Sequence, residues 1–302
     1  MLFESLKPML LTSRSEAFDD DSYIFEPKWD GWRILIHKKG SRIEAYTRTG
    51  MRITERFPEI QSTAASISGH SVILDCEGIC LRDGRSVFDD FQDRGRLTDP
   101  RKIAAAAANH PATFIAFDVL YANRVRTHEP LADRKRRLLE LVQSSSVIAP
   151  TMYVEGAGVH LKKLTEQRNW EGIVAKRKAS TYQFNTRSYD WIKIRNWNHI
   201  DTVILGYRTD PHFALIVGLH FRTVENKPVA VVEHGYTPDE KSAFLAVVKQ
   251  LHTIKDRDAQ WIEPRLCCRI RYLERTERHQ LRMATFEEFL FDKRPEDCRW
   301  VG

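Results

Sequence analysis

The sequence predicts an α+β protein with two domains, residues 1–198 and 199–302. Three observations support this prediction. The 302 residues are 42% hydrophobic, which is enough for one large core or two smaller ones. Before Asn198, short apolar runs typical of strands alternate with segments of helical spacing. After Asn198 strand-like runs dominate, with one helix from Pro238 to Leu251, which predicts a small antiparallel barrel or sandwich.

The first domain is expected to begin with a loop over residues 1–22, which end in an acidic run. The apolar runs 23–25 and 34–36 then flank a charged segment that contains Pro27 and Gly31. This pattern predicts a strand, a tight connection and a second strand. Strands that are apolar on both faces are usually buried, so we expect Lys28 to lie on the floor of a pocket.

Other elements follow from the same periodicities. Residues 42–48 alternate like an exposed strand, and helices are predicted at 55–67, 131–144 and 161–169. The remaining strands are predicted at 72–79, 114–120, 172–175, 189–195, 202–207, 213–221, 228–234 and 266–273.

Lys28 is the first candidate for chemistry. A free lysine has a pKa of about 10.4, so roughly one molecule in a thousand is a neutral amine near pH 7.5. Partial burial and neighbouring cations lower that pKa and make the amine nucleophilic. Asp30 and Arg33 place a carboxylate and a phosphate-binding fork nearby. Taken alone, Lys-x-Asp-Gly is equally compatible with a turn that carries a surface lysine.

Two further strands carry charged residues. Glu77 lies inside the strand at 72–79, where an unpaired buried carboxylate would cost several kcal/mol. Alternation places Trp191, Lys193 and Arg195 on one face of their strand, which suits a phosphate-lined groove or a solvent-exposed face. Phe117, beside an acid in the strand at 114–120, fits a core position better than a functional one when it is taken alone.

Composition restricts the class of protein. The formal net charge of +6 fits a polyanionic partner. No apolar run approaches the roughly 18 residues that a membrane span needs, and the N-terminus does not have the pattern of a signal peptide. The five cysteines lack C-x-x-C spacing, so we expect reduced packing residues of a cytoplasmic protein and no structural zinc.

Six short segments together resemble a known family. They are Glu26–Arg33 (EPKWDGWR), Thr47–Gly50 (TRTG), Asp75–Gly78 (DCEG), Phe117–Leu120 (FDVL), Glu171–Lys176 (EGIVAK) and Trp191–Arg195 (WIKIR). In this order they resemble the motifs of the covalent nucleotidyltransferases, which are ATP-dependent DNA ligases, RNA ligases and messenger-RNA capping enzymes. Phe88–Arg94 and Leu131–Lys135 are similar to segments of the DNA ligases, above all the ligase module of bacterial end-joining ligases.

The resemblance implies an adenylation domain of antiparallel sheets and helices, followed by an OB-fold barrel. It implies that Lys28 attacks the α-phosphorus of ATP and becomes linked to AMP, which then passes to the 5′-phosphate of a nick. Lys193 would contact the α-phosphate and Asp30 would assist catalysis. Glu171 would hold Mg²⁺ or Mn²⁺ with help from Glu77 or Asp30.

The resemblance also assigns nucleotide contacts. Glu26 would face the adenine edge, Phe117 would stack on adenine, and Glu77 would accept from the ribose. Three arginines would contact nucleotide or nick phosphates: Arg33, Arg48 and Arg187.

The resemblance implies that the partner is nicked duplex DNA. It implies a monomeric enzyme of the bacterial cytoplasm that acts at the nucleoid, where end-binding repair proteins are candidates for recruiting it. An RNA ligase with the same lysyl-AMP chemistry is the first alternative. A capping guanylyltransferase, which would label with GTP, and a weakly catalytic nucleic-acid-binding relative are the others.

Two positions depart from the family pattern. Arg195 stands where the fifth motif usually has a second lysine. The last motif usually reads Arg-x-Asp-Lys, and its counterpart here is Leu290–Lys293, so the arginine that orients pyrophosphate is missing. Lys293 and Arg294 are the candidate substitutes, and a slower first step is expected.

Overall fold

The chain folds into two compact units in a computed structural model that describes residues 1–300. The first unit is Met1–Asn196, and the second begins at Trp197. This division lies two residues before the boundary predicted at residue 198. No helix in the described part of the chain is long and apolar enough to cross a membrane.

The first unit contains eleven strands and five α-helices. The helices are α1 (Glu59–Thr63), α2 (Phe88–Arg96), α3 (Pro100–Asn109), α4 (Leu131–Leu141) and α5 (Gly158–Gln167). The strands are β1 (Leu10–Ser13), β2 (Asp20–Pro27), β3 (Trp32–Lys39), β4 (Arg42–Thr47), β5 (Ser71–Arg82), β6 (Arg85–Ser86), β7 (Ala112–Ala122), β8 (Ile148–Pro150), β9 (Val154–Gly156), β10 (Gly172–Arg177) and β11 (Arg187–Arg195).

These strands form two sheets. The first has the order β1-β11-β10-β2-β9 and the second has the order β4-β3-β5-β7-β8, with β6 paired to β5. Pairing is antiparallel except for β1 with β11 and β7 with β8. One apolar cluster contains side chains of both sheets, including Ile24 of β2, Leu35 of β3 and Trp191 of β11, so the sheets pack face to face. Separate clusters pack helices against their outer faces.

The connection at Lys28 is not the hairpin that the sequence pattern predicted. β2 pairs with β9 and β10, whereas β3 pairs with β4 and β5, so residues 28–31 cross from one sheet to the other. Gly31 permits a close approach in this crossing, because a Cβ there would lie 2.0 Å from the Gly78 carbonyl oxygen. The crossing therefore directs Lys28 into the space between the sheets.

Two other predictions in this unit were wrong. Residues 1–22 include strand β1, which pairs with β11 in parallel: Leu10 is opposite Arg187 and Ser13 is opposite Lys193. Strand β4 was expected to be exposed, but it is buried after Arg42, because the segment around Phe57 packs on its apolar side.

The second unit is a β-rich domain with one α-helix, α6 (Pro238–Val247), which continues as a 3₁₀ turn to Leu251. Its strands are β12 (Asn198–Arg208), β13 (Ala214–Leu219), β14 (Lys227–Val232), β15 (His252–Lys255), β16 (Gln260–Ile262), β17 (Cys267–Tyr272) and β18 (Thr285–Leu290). The long strand β12 pairs with β13, β16 and β17, and β17 also pairs with β18. Strands β15, β16 and β18 were not predicted from the sequence.

Candidate active site

A cavity of about 450 Å³, including its open mouth, lies within the first unit. Its lining combines three cations and two acids with aromatic and aliphatic side chains. The lining residues are Leu11, Glu26, Pro27, Lys28, Trp29, Arg33, Glu77, Phe117, Val174, Lys176 and Trp191. Five of the nine residues proposed for catalysis or nucleotide binding from the sequence therefore lie on its wall: Glu26, Lys28, Arg33, Glu77 and Phe117.

Lys28 is held at this cavity by strand β10. Its backbone N–H donates to the Gly172 carbonyl, 2.8 Å away, and its ammonium group lies 2.5 Å from Glu171 Oε2. The other oxygen of that carboxylate accepts from Arg195 Nε at 3.0 Å. The Glu171 side chain is only 4% exposed, so its charge is shared by two cations in a largely dry place. Lys28 retains 19% exposure and faces the cavity.

Lys193 belongs to the same group of charges. It lies on β11 directly opposite Val174 of β10. Burial, together with the positive charges of Arg195, Lys28 and Arg187, lowers the pKa of Lys193 to about 8, and Glu171 opposes this shift. Lys28 and Arg195 therefore pair with the buried Glu171 carboxylate, and Lys193 lies near enough to these three groups for their charges to influence it. Such a site attracts a group that carries several negative charges, such as a polyphosphate.

Carboxylates approach Lys28 from a second direction. Glu77 of β5, opposite Arg33 of β3, lines the cavity. Burial, together with the negative charges of Glu171 and Asp30, raises the pKa of Glu77 to about 8, while Lys28 and Arg33 oppose this shift. These carboxylates repel each other, and a divalent cation bound between them would relieve that repulsion. Two or three carboxylate oxygens, completed by water and phosphate oxygens, suit Mg²⁺.

The inner end of the cavity is built around Glu26. Its carboxylate pairs with Lys176 at 2.7 Å and also with Lys135 of α4. The Lys176 ammonium lies 4.2 Å from the centre of the Phe117 ring and 4.0 Å from that of Trp191. Burial lowers the pKa of Lys176 to about 8, and Glu26 opposes that effect. This end therefore presents an acid, two amines and aromatic faces to a flat polar ligand.

The guanidinium group of Arg33 is bonded within the protein, so it is not free to bind a phosphate. Its Nε and Nη2 donate to Asp75 at 3.0 and 2.6 Å, and its Nη1 donates to the Met9 carbonyl at 2.5 Å. Burial alone would lower the pKa of Arg33, but the Asp75 carboxylate reverses that effect and raises it. All three guanidinium nitrogens are committed to protein acceptors. The predicted phosphate contact is corrected accordingly: Arg33 is a fixed part of the cavity wall.

The two remaining predicted arginines lie outside the cavity wall. Arg48 is exposed on the turn after β4, and its backbone N–H donates to the Arg33 carbonyl. Arg187 is exposed at the start of β11, where its Nη1 donates to the Leu11 carbonyl at 2.6 Å. Of the two, Arg187 is near enough to Lys193 to influence its pKa.

Sequence reasoning assigned no site role to several residues of the cavity. Lys176 and Trp191 line its inner end, and Lys135 reaches Glu26 from α4. A signal for Lys176 was present, because alternation along β10 puts it on the same face as Val174. Nothing in the sequence pattern identifies Lys135, whose partner lies more than a hundred residues away.

Four arginines on and after β17 of the second unit separate into two groups. Arg269 pairs with Asp201 and Glu288, and Arg282 pairs with Glu274. Arg271 instead lies over Trp197 at 4.9 Å, and Arg275 lies over Trp300 at 4.3 Å. Among residues 1–300, these last two arginines form no salt bridge. Their charges remain available to an external anion.

The last-motif segment lies at the end of β18. Lys293 pairs with Asp201 at 3.0 Å, and Arg294 pairs with Asp297. Leu290 occupies the position of the missing arginine, and Phe291 is 89% exposed.

Comparison with known proteins identifies the family. Residues 1–195 match the family model described as the ATP dependent DNA ligase domain. The chain belongs to the ATP-dependent DNA ligase family. It is 30% identical, over 98% of its length, to the multifunctional non-homologous end joining protein LigD of Mycolicibacterium smegmatis, but covers only 40% of that protein. It is also 30% identical to the SPbeta prophage-derived DNA ligase-like protein LigB of Bacillus subtilis, covering 94% of this chain and 98% of LigB.

Solved structures of DNA ligases support the fold. The ligase domain of M. tuberculosis LigD superposes with a TM-score of 0.60 and 26% identity over the full length of both chains. A Lig E DNA ligase gives a TM-score of 0.64 at 16% identity and covers 93% of this chain and 99% of that chain. The predicted family and the predicted α+β ligase fold are confirmed. The seven strands of the second unit form one sheet that does not close into a barrel within the described residues, and the DNA ligase structures are consistent with the predicted OB fold.

Proposed function

We propose that this chain seals nicks in duplex DNA that carry a 3′-hydroxyl and a 5′-phosphate, at the expense of ATP. The observation that carries the proposal is the cavity around Lys28. There, Lys28 shares the buried carboxylate of Glu171 with Arg195, beside an acid and aromatic residues suited to a nucleobase. The family relationship supports the same reaction.

In the first step, Lys28 Nζ attacks the α-phosphorus of ATP. The bond to pyrophosphate breaks, a nitrogen–phosphorus bond forms, and the amine loses a proton. Lys193 and Arg187 stabilise the charge that develops on the phosphates, because Lys193 lies near Lys28 and Arg187 lies near Lys193. Glu171 holds Lys28 in place until the substrate arrives. Asp30, two residues after Lys28 in the sequence, assists catalysis.

The adenine would occupy the end of the cavity between Phe117 and Val174, with its polar edge toward Glu26 and Lys176. Glu77 would accept from the ribose. The ring of Phe117 already supports the Lys176 ammonium, so that lysine fixes the orientation of the ring and joins the recognition of the base.

A divalent cation, Mg²⁺ or Mn²⁺, would be held by Glu171 and Glu77, since their carboxylates face the amine and repel each other. Such an ion supplies positive charge that offsets the phosphate charge. Glu171 Oε2 accepts from Lys28 in this structure, so that oxygen would be free to hold an ion only once the amine had left it.

The AMP then passes to the DNA. A 5′-phosphate oxygen at the nick attacks the AMP phosphorus and releases the lysine; the 3′-hydroxyl then attacks the 5′-phosphorus and releases AMP. The unpaired Arg271 and Arg275 of the second unit are suited to the phosphate backbone of the duplex. By analogy with its relatives named for end joining, we place this monomeric enzyme in bacterial break repair at the nucleoid, recruited by end-binding proteins.

The test is the sealing of a duplex with one nick, resolved on a denaturing gel with ATP and Mg²⁺. Joining is expected with a 5′-phosphate and not with a 5′-hydroxyl. Strong preference for an RNA nick would favour the RNA ligase alternative. Sealing only of a pre-adenylated nick would localise the defect to the first step, where Leu290 replaces the usual arginine.

A further inference from the structure

Strand β11 contains a large bulge beside the cavity. Leu11 of β1 is opposite Ser188, but the next residue, Thr12, is opposite Ile192. One step of β1 is therefore matched by four residues of β11, and residues 189–191 are inserted. Bulges of this kind re-aim side chains and are over-represented next to active sites.

The bulge is held on both sides. Before it, Arg187 donates to the Leu11 carbonyl at 2.6 Å, and its last residue, Trp191, is buried in the cavity wall. Within it, Asp190 accepts from Arg177 Nε at 2.8 Å, and Arg177 also donates to the Tyr23 hydroxyl at 2.8 Å. These contacts fix Asp190 and Trp191, and Tyr189 is the remaining residue of the bulge.

Tyr189 projects into solvent. Its side chain is 83% exposed, and it has no aromatic or hydrogen-bonding partner within residues 1–300. The fold gains nothing from an aromatic ring there, because its burial is minimal. Trp191, two residues along the chain, lines the cavity, so the backbone of Tyr189 lies within about 7 Å of a residue of the cavity wall.

Basic residues flank Tyr189: Arg187 lies two residues before it, and Arg177 pairs with Asp190, the residue after it. The bulge brings Arg187, two residues before Tyr189, near enough to Lys193 to influence its protonation. The acid in the bulge, Asp190, is neutralised by Arg177. An exposed aromatic ring between cations is the arrangement by which proteins stack on nucleotides while cations contact the phosphates.

We propose that Tyr189 is a binding residue for the polynucleotide: its ring stacks on a nucleotide next to the nick, outside the cavity that takes ATP. The proposal rests on the proposed function, and it separates the two substrates. Tyr189 serves the strand to be sealed, whereas self-adenylation proceeds without it.

The test compares Tyr189→Ala with Tyr189→Phe, and uses Leu139→Ala as a control because Leu139 is an exposed residue of α4 in the same unit (53% exposed). Affinity for a fluorescent nicked duplex is measured by anisotropy, and covalent AMP labelling is measured in parallel. Tyr189→Ala should weaken nick binding about tenfold, the scale of one stacked base, with labelling unchanged. Tyr189→Phe and Leu139→Ala should stay within about twofold of wild type.

Wild-type nick affinity in Tyr189→Ala would overturn the proposal. Equal losses in the Phe and Ala variants would overturn it as well, because the hydroxyl rather than the ring would then make the contact. Loss of AMP labelling in Tyr189→Ala would contradict the separation of the two substrates. A wild-type protein that binds nicks and labels with AMP, but never joins them, would overturn the proposed function while leaving the anisotropy result decisive for Tyr189.

Discussion

Arg33, in the cavity wall, forms a bidentate ion pair with Asp75, with nitrogen–oxygen distances of 3.0 and 2.6 Å. Asp75 is fully buried and also accepts from the Tyr182 hydroxyl at 2.6 Å. The pair joins β3 to β5 and, through Tyr182 and the Met9 carbonyl, to the segments that carry the other sheet. It therefore holds the two sheets at the spacing that the cavity needs.

Replacing Asp75 by Asn should destabilise the protein by about 3–5 kcal/mol, because the Arg33 guanidinium would remain buried without its counter-ion. Urea unfolding followed by tryptophan fluorescence measures the loss. Asp133→Asn is the control: its pair with Arg136 is exposed on α4, where such pairs contribute about 0–1 kcal/mol. Equal losses in both variants would show that the buried pair has no special structural role.

Glu77→Gln should change the pH dependence of stability. The folded-state pKa of Glu77 is raised to about 8, whereas the unfolded value is near 4.5. Between these values the unfolded carboxyl ionises while the folded one holds its proton, so wild-type stability falls as the pH rises. We expect Glu77→Gln to be more stable than wild type by roughly 1–3 kcal/mol at pH 8, an estimate discounted for partial exposure, and equal at pH 4.

Thermal or urea unfolding across that pH range measures the effect. Glu166→Gln, on an exposed pair with Lys162, is the control and should show no comparable slope. A difference between Glu77→Gln and wild type that does not change with pH would contradict the raised pKa.

ATP affinity should fall as the pH rises through about 8. Lys193 is charged in half of the molecules near that pH. Its attraction for phosphate is therefore present below pH 8 and lost above pH 8. Binding is best measured without metal in a Lys28→Ala background, which prevents covalent transfer. Lys193→Arg should retain affinity at pH 9 better than wild type does, while Lys163→Arg on the exposed surface should follow wild type. Affinity that is constant to pH 9 would contradict this role for Lys193.

The second unit should bind DNA through its unpaired arginines. The double substitution of Arg271 and Arg275 to Ala should weaken binding to any duplex and reduce the salt slope by about two, one for each phosphate contact. Arg282→Ala, which removes an arginine paired to Glu274, is the matched control and should have a smaller effect. The same loss in Arg282→Ala would mean that pairing does not decide which arginines contact DNA.

The sequence was informative where chemistry depends on a short segment. Lys28 and Glu77 could be placed at a pocket because each lies within or beside an apolar strand that has a reason to be buried. The same reasoning failed for Arg33, because a pattern does not reveal that Asp75, from another strand, takes its donors. Lys135 was missed for a similar reason, since only the packing of α4 brings it to Glu26.

The fold, too, could be predicted only where the signal lies within a short segment of the sequence. The long apolar strands β3, β5 and β7 have strong local signals. Strand β1 has four residues and exists because β11, far along the chain, pairs with it. The crossing at Lys28 looked like a hairpin because strand periodicity does not specify which sheet a strand joins.

The central claim is that Lys28 carries AMP. The direct measurement is incubation with α-labelled ATP and Mg²⁺, followed by a denaturing gel that detects label attached to the protein. We predict label from ATP but not from GTP, resistance to alkali, release by mild acid, discharge by nicked DNA, and complete loss in Lys28→Ala with unchanged circular dichroism. Label that persists in a folded Lys28→Ala protein would contradict the claim.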